Sequence, residues 1–381
     1  MEKVRTAIIG CGAISDRYLT NLTTMFSIIE VVACCNRTHA KAVRAAEKYG
    51  IRAMTLDEIL ADESIEMVVN LTNPPSHYEV SKKCLLAGKH VYTEKVITVE
   101  LDEARELIEI ANARSLYLGA APDTFLGSAI QTARMAIDMG MIGKITSCSA
   151  YVSRDNKIFA EILPFLAEEG AGIGFDVGIY YITALLSILG PVSQVTGMIT
   201  QDPQREMTHI LPRNPGFGEK YRFVPETVMT GCLRFKSGVL GSLHFNSECI
   251  FPEKPALIIC GSEGILTMAD PNCFGGAVTI RAKGSMEELT LPNHFGFNEN
   301  SRGVGAAEMA WAIRQARPNR CSKEMAYHAL ELLHGIVLSD REGHLYTMQS
   351  SFERPAPLPR GYLDSGYNGS DPEAALALPP Q

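Results

Sequence analysis

The first 35 residues constrain the fold more than any other stretch of this chain. A short apolar run, Val4 to Ile9, ends in Gly10-Cys11-Gly12-Ala13-Ile14-Ser15, and a helical pattern carrying Tyr18, Leu19, Leu22 and Met25 follows. Strand, glycine turn and helix in that order form the first half of a nucleotide-binding βαβ unit. Gly10 permits the tight bend. Gly12, lacking a Cβ, lets the backbone approach a pyrophosphate held at the N-terminus of the helix, where N–H groups and the helix dipole favour negative charge. Ala13 and Ile14 complete the turn and count with the two glycines as cofactor-binding positions. The third position of the dinucleotide fingerprint is Ser15 in place of Gly or Ala. A bare Gly-x-Gly also occurs in purely structural turns, so the dinucleotide reading rests on the strand-turn-helix setting.

The unit then repeats. Ile29 to Cys35 reads as a strand, His39 to Tyr49 as a helix, Met67 to Leu71 as a strand and Ser76 to Ala87 as a helix. His90 to Thr93 and Leu116 to Ala120 read as strands on either side of a helix over Leu101 to Ala113. Strands alternating with helices of this length predict a parallel, doubly wound Rossmann sheet with right-handed crossovers. Beyond Gly140 and Gly143 the pattern changes to β-rich runs at Ile145–Val152, Val192–Thr200, Thr227–Phe235, Val239–Asn246, Ala256–Cys260 and Ile265–Met268. Tight turns such as Lys236-Ser237-Gly238 predict a largely antiparallel open sheet, and helical stretches follow around Ser301–Ala316 and Ser322–Ser339. The expected organisation is an α/β nucleotide-binding domain over 1–122, a C-terminal α+β substrate and oligomerisation domain over 123–345, and a Pro-rich extended tail over 346–381. Residues Asp202 to Pro225, rich in Pro, Gly and charge, read either as a disordered surface loop or as a rim for the substrate pocket or a subunit contact.

Composition narrows the function. The 381 residues carry a formal net charge of -8 and a mean hydropathy of +0.03, an ordinary globular balance without the basic excess that nucleic acid or an anionic membrane surface demands. No apolar run has the length of a membrane span, and the N-terminus runs straight into a strand, so a cytoplasmic location is expected. Ten cysteines show neither CxxC pairs nor zinc-finger spacing, which points to free thiols and no metal.

Cofactor choice is decided at the end of the second strand, where an acidic side chain would bond the adenosine ribose of NAD. Here the residues are Asn36-Arg37-Thr38. Arg37 can pair with the 2'-phosphate of NADP or stack on the adenine of either nucleotide, so NAD and NADP both stay open; an exposed loop Arg with no ligand is the plain alternative. The fourth and fifth strands run into Thr72-Asn73-Pro74-Pro75-Ser76-His77 and Glu94-Lys95-Val96. Ligands gather outside the carboxyl ends of parallel strands, so Thr72, Asn73, Pro74, His77, Glu94 and Lys95 are expected around the nicotinamide end.

These residues together resemble the glucose-fructose oxidoreductase and inositol dehydrogenase family, called Gfo/Idh/MocA. The resemblance rests on Ile8-Ile9-Gly10-Cys11-Gly12, the Asn73-Pro74-Pro75 to His77 turn, Ala87-Gly88-Lys89-His90-Val91, Glu94-Lys95, and Gly172-Ile173-Gly174-Phe175-Asp176-Val177-Gly178-Ile179-Tyr180. It implies that Lys95, Asp176 and Tyr180 form the catalytic set and that the substrate is a carbohydrate or cyclic polyol. It also implies a homo-oligomer, dimer or tetramer, paired through the second sheet. Val96 stands where the family's Glu-Lys-Pro motif has Pro, and Tyr180 where many members have His.

Hydride transfer from a secondary alcohol needs a base for the hydroxyl proton, and Lys95 suits it if burial beside an oxidised nicotinamide favours the neutral amine. Asp176 and Tyr180, four residues apart, would share one helix face. Asp176 can equally serve as a helix N-cap, Tyr180 as core packing and His77 as a solvated or core histidine. The leading expectation is an NAD(P)-dependent sugar or polyol oxidoreductase. The alternatives are redox-neutral glycoside cleavage with a retained nucleotide, and a non-catalytic NAD(P)-binding regulator.

Overall fold

The computed structural model describes residues 1–250 and 256–359. Its first sheet contains β1 (Val4–Ile9), β2 (Ile29–Cys35), β3 (Arg52–Ala53), β4 (Met67–Asn70), β5 (His90–Thr93) and β6 (Leu118–Ala120). They lie in the order β3-β2-β1-β4-β5-β6 with every pair parallel. All four residues of β4 are buried, as an interior parallel strand with helices on both faces requires. The crossovers are α1 (Ser15–Thr24), α2 (His39–Tyr49), α3 (Leu56–Ala61), α4 (Pro74–Leu86) and α5 (Leu101–Ala113). Local chemistry sets several ends: Thr55 and Glu58 form a capping box on α3, and Gly50 at φ 67° stops α2. The strand order reverses between β1 and its two neighbours, and the glycine turn leaves β1 at that switch point.

The second sheet has nine strands. In chain order they are β7 (Ile145–Ser153), β8 (Val192–Thr200), β11 (Val228–Phe235), β12 (Leu240–Asn246), β13 (Ala256–Gly261), β14 (Gly264–Met268), β15 (Val278–Ala282), β16 (Leu289–Thr290) and β17 (Tyr346–Thr347), while β9 (Glu206–Thr208) and β10 (Lys220–Arg222) form a separate hairpin. The sheet is largely antiparallel as expected, with one parallel pair, β7 with β12. The strands β15, β16 and β17 carry no turn signal strong enough to mark them in the sequence. Buried and exposed residues alternate along β11, so one face is covered, and helices α8 (Ile179–Leu189) and α10 (Lys323–Glu342) pack on that side.

Helix α10 packs on both sheets, against β8 and β6, while α6 (Ser128–Asp138) lies on β14 and β15 and α9 (Val304–Gln315) on β5 and β6, and one hydrophobic cluster runs from Val4 and Tyr92 through Leu118 to Leu333. The chain thus returns to its first sheet after building the second: Ala120 N donates to Cys321 O at 3.2 Å. A small second cluster of Ala160, Leu166, Ala171 and Phe223 sits beneath the 202–225 excursion, next to the short helix α7 (Asn156–Ala160). That excursion is ordered. The Glu161 carboxylate accepts from Ile210 N and Asn214 Nδ2, both at 2.8 Å, and His209 stacks on Tyr221 at 4.3 Å. Residues 346–359 are extended but fastened, because β17 extends the sheet beside β8 and Arg134 and Arg320 donate to the carbonyls of Pro355, Ala356 and Pro357. The rest of the expected tail lies outside the described residues. No helix among the described residues is long and apolar enough to cross a membrane.

Candidate active site

The cleft begins at the glycine turn. Gly10 has φ 100°, and a Cβ there would stand 2.6 Å from Leu71 O, so the bend excludes any side chain. At Gly12 the reverse holds: a Cβ would meet no protein atom within 4 Å. Gly12 and Ala13 are exposed, Ile14 is half-buried, and α1 starts without a side-chain cap. This leaves room and uncapped N–H groups where a pyrophosphate would lie. Ser15, at the fingerprint's third position, folds its hydroxyl back onto Gly12 O at 2.7 Å. Asn36 accepts from Cys11 N at 3.0 Å and donates to Thr38 O at 3.2 Å, so its side chain braces the turn. Arg37 is exposed and makes no ion pair or side-chain hydrogen bond among the described residues. The donor set fits a dinucleotide.

At the other end of the cleft, Thr72 donates to Asn70 Oδ1 at 2.7 Å, Asn73 is exposed, and Pro74 is the first residue of α4. His77 does not face the cleft. Its ring is wholly buried, with Nδ1 2.6 Å from Val96 O and Nε2 2.9 Å from Thr72 O, so it pins two loops together and would reach a cofactor only through them. Glu94 is also turned inward: it accepts from Tyr18 OH at 2.6 Å and from Lys95 N at 3.0 Å. It ties α1 to the loop that carries Lys95.

Lys95, Asp176 and Tyr180 come together. Lys95 Nζ donates to Asp176 Oδ1 at 2.5 Å and to Asp176 O at 2.7 Å, and lies 5.7 Å from the centre of the Tyr180 ring. Asp176 Oδ2 accepts from Arg154, whose guanidinium also donates to Asn156 and stacks on Phe159. Arg302 also lies over Tyr180, its guanidinium 6.0 Å from the ring centre. Asp176 sits in a π-helical turn, Gly174–Gly178, that runs into α8, and it makes no capping bond. The capping alternative is thereby removed. Wide π turns recur at functional positions. Gly172 and Gly174 are needed beside it because Glu226 and Met229 pack directly on their Cα atoms.

Charge follows from this packing. Burial pushes the Asp176 carboxyl up, but Lys95 and Arg154 outweigh it and hold the group below the usual carboxylate range. Burial likewise favours the neutral Lys95 amine, and Asp176 outweighs it, so Lys95 is held as an ammonium. Burial raises the Tyr180 phenol despite the opposing pull of Lys95, so it stays protonated at neutral pH.

Residues 4–121 match the model of the oxidoreductase family with an NAD-binding Rossmann fold, GFO/IDH/MocA, and residues 130–267 match the GFO/IDH/MocA C-terminal domain. The chain belongs to the GFO/IDH/MocA oxidoreductase family. The uncharacterized oxidoreductase YhhX of Escherichia coli (strain K12) is 31% identical over 189 residues, 49% of this chain and 54% of that protein. This alignment thus spans about half the length of that relative, as do those to comparable ones. The trans-1,2-dihydrobenzene-1,2-diol dehydrogenase of Bos taurus is 25% identical over 82% of this chain and 88% of that protein. Among solved structures, the aldose-aldose oxidoreductase of Caulobacter crescentus, complexed with glycerol, superposes with a TM-score of 0.76 over 91% of this chain and 100% of that one; at 17% identity this speaks to the fold.

Sequence reasoning for this GFO/IDH/MocA member missed Arg154, Arg302 and Tyr18. Arg154 directly follows β7 and Arg302 closely precedes α9, and neither position carries a motif. A strand-end cation was the one available signal, and it is shared with many solvated arginines.

Proposed function

We propose that this protein interconverts a secondary hydroxyl and a carbonyl on a sugar or cyclic polyol, using a nicotinamide nucleotide, with Lys95 as the proton donor and acceptor. The observation that carries this reading is the contact of Lys95 Nζ with Asp176 at the carboxyl end of β5, where the cleft's nicotinamide end is expected. A bound nucleotide would supply or accept the hydride. Lys95 Nζ then delivers a proton to the substrate oxygen in the reductive direction, or removes it in the oxidative one. Asp176 keeps Nζ charged and aimed, Arg154 fixes the second oxygen of Asp176, and the Tyr180 hydroxyl offers a further donor to the same oxygen.

The substrate class is supported by the relatives' names. A dihydrobenzenediol and an aldose both present hydroxyls on neighbouring carbons, and the dehydrogenase and the oxidoreductase named for them share that feature. Arg37 favours NADPH over NADH, because Asn36 is spent on the turn and no carboxylate stands where the ribose diol of NAD would bond. The test is a titration of nucleotide-free protein with NADPH and NADH by nicotinamide fluorescence, followed by turnover on a panel of aldoses, inositols and their keto forms. Tighter NADPH binding and turnover on a member of the panel are expected. Nucleotide binding without turnover in either direction would leave a nucleotide-binding regulator instead.

A further inference from the structure

Arg154, which takes the second oxygen of Asp176, is itself gripped by the short helix α7. Its N–H donates to Asn246 O at 3.0 Å and Asn156 N donates to Ser247 O at 3.3 Å, so the backbone on both sides of Asp155 is fastened to the end of β12. Asn156 opens α7 and is 1% exposed. Its Oδ1 accepts from Arg154 Nε at 2.9 Å, and Phe159 of the same helix covers the guanidinium face at 4.6 Å. The far end of α7 is tied as well, because Glu161 accepts from Ile210 N and Asn214 Nδ2 of the 202–225 excursion.

One half of the Asn156 amide gains nothing from this arrangement. Nδ2 is buried and has no hydrogen-bond partner among the described residues. A guanidinium only donates, so the amide must turn its oxygen to Arg154, and a flip cannot relieve the stranded N–H groups. An unpaired buried donor destabilises a fold. An apolar side chain of the same size would avoid that cost and would leave Arg154 Nε without its acceptor. Asn156 thus works against stability and in favour of one orientation of Arg154.

We propose that Asn156 is a positioning residue for the reaction: it aims the Arg154 guanidinium at Asp176, and Asp176 so held aims Lys95. The part in the reaction rests on reading Lys95 as the proton donor and acceptor; the grip on Arg154 does not. Two bonds, Nε to Asn156 and Nη2 to Asp176, fix the plane of the guanidinium, whereas the second alone would let it pivot. Asp176 has one oxygen for each cation, so an Arg154 that pivots frees the carboxylate to turn away from Lys95. Asn156 is too deeply buried to meet nucleotide or substrate, so its loss should appear in kcat and not in binding.

The experiment uses the full-length protein. Asn156→Leu should lower kcat roughly tenfold, the effect of one charge-assisted hydrogen bond, and leave NADPH affinity as it is. Its melting temperature should hold, because the change also removes the stranded amide. Asn156→Ala, which only empties the position, should give the same fall in kcat. In an Arg154→Met background either substitution should leave kcat unchanged, since no guanidinium remains to be aimed. Asn156→Asp keeps an acceptor for Nε and should bring kcat back to within about threefold of the wild type. A second readout needs no turnover: the Arg154 Nε–H signal in a proton–nitrogen NMR spectrum, assigned by its loss in Arg154→Met. That proton should exchange with water slowly in the wild type and fast in Asn156→Leu and Asn156→Ala. Wild-type kcat in the Leu and Ala variants, a loss that persists in the Arg154→Met background, no recovery in Asn156→Asp, or an unmoved Nε–H signal would each overturn the proposal. A wild type without turnover on any sugar or polyol would remove the functional reading and the part of Asn156 in the reaction, while the NMR signal still decided whether Asn156 holds Arg154.

Discussion

Lys95 Nζ donates to Asp176 Oδ1 at 2.5 Å, which joins the loop after β5 of the first sheet to the π turn before α8. The pair bridges the two halves of the fold and sets the charge of Lys95, the group nearest the proposed chemistry. Arg154 occupies the other oxygen of Asp176, so one carboxylate serves two cations. Breaking such a buried arrangement on one side leaves an uncompensated charge.

Replacing Lys95 by Ala removes the proton donor and leaves the glycine turn untouched. The expected loss in kcat is about 10²–10⁴-fold, the usual worth of a positioned acid or base, with the NADPH dissociation constant nearly unchanged. Steady-state turnover and fluorescence titration on one preparation check both parts. Turnover within a few-fold of wild type would remove Lys95 from the mechanism.

Asp176→Asn tests the charge coupling separately. Lys95 has its pKa raised chiefly by Asp176 against the effect of burial, and the ammonium is present below that pKa and lost as pH rises through it. Carbonyl reduction, which uses the ammonium, should therefore hold to alkaline pH in the wild type. In Asp176→Asn its alkaline limb should move to lower pH. A limb that stays in place in the pH–rate profile would show that Asp176 does not set the ionisation of Lys95.

Tyr180→Phe keeps the ring against Lys95 and Arg302 and removes only the hydroxyl. A loss in kcat of roughly fivefold is expected, milder than that of Lys95→Ala, because one neutral hydrogen bond is worth about 1 kcal/mol. An effect as large as that of Lys95→Ala would make Tyr180 the principal donor.

Arg37→Ala separates the two nucleotides. A charge-assisted contact to the 2'-phosphate is worth about 1.5–3 kcal/mol, so NADPH affinity should fall by roughly 10–100-fold while NADH affinity holds. Equal losses for both would make Arg37 an adenine contact.

Glu226 links pH to stability. It is buried against Gly172, one of its carboxyl oxygens has no hydrogen-bond partner, and burial pushes its pKa from 4.5 up to about 7. A raised carboxyl pKa favours folding while the group is protonated, and that advantage is lost as pH rises from about 4.5 through about 7. Glu226→Gln should consequently be more stable than wild type at pH 8, by up to about 3 kcal/mol, and close to it at pH 4.5. Thermal melts at the two pH values decide it, and an unchanged difference across them would place the Glu226 carboxyl in a more polar environment.

Much of the fold was legible because it is written in neighbouring residues. The apolar run of β4, the Gly10 bend and the repeat of strand and helix each depend on contacts a few positions apart, and they determined the first sheet and the location of its cleft. Lys95 and Asp176 were legible through motif resemblance. Beyond that, tertiary structure decided. Two-residue strands such as β3, β16 and β17 have too few residues to show a period, and the parallel pairing of β7 with β12 is settled by packing over a long connection. The inward turn of His77, the approach of Arg154 to Asp176 and the charge of Lys95 were beyond the sequence for the same reason. An ionisable group takes its state from whatever the folded chain places beside it, and Lys95 and Asp176 are 81 positions apart.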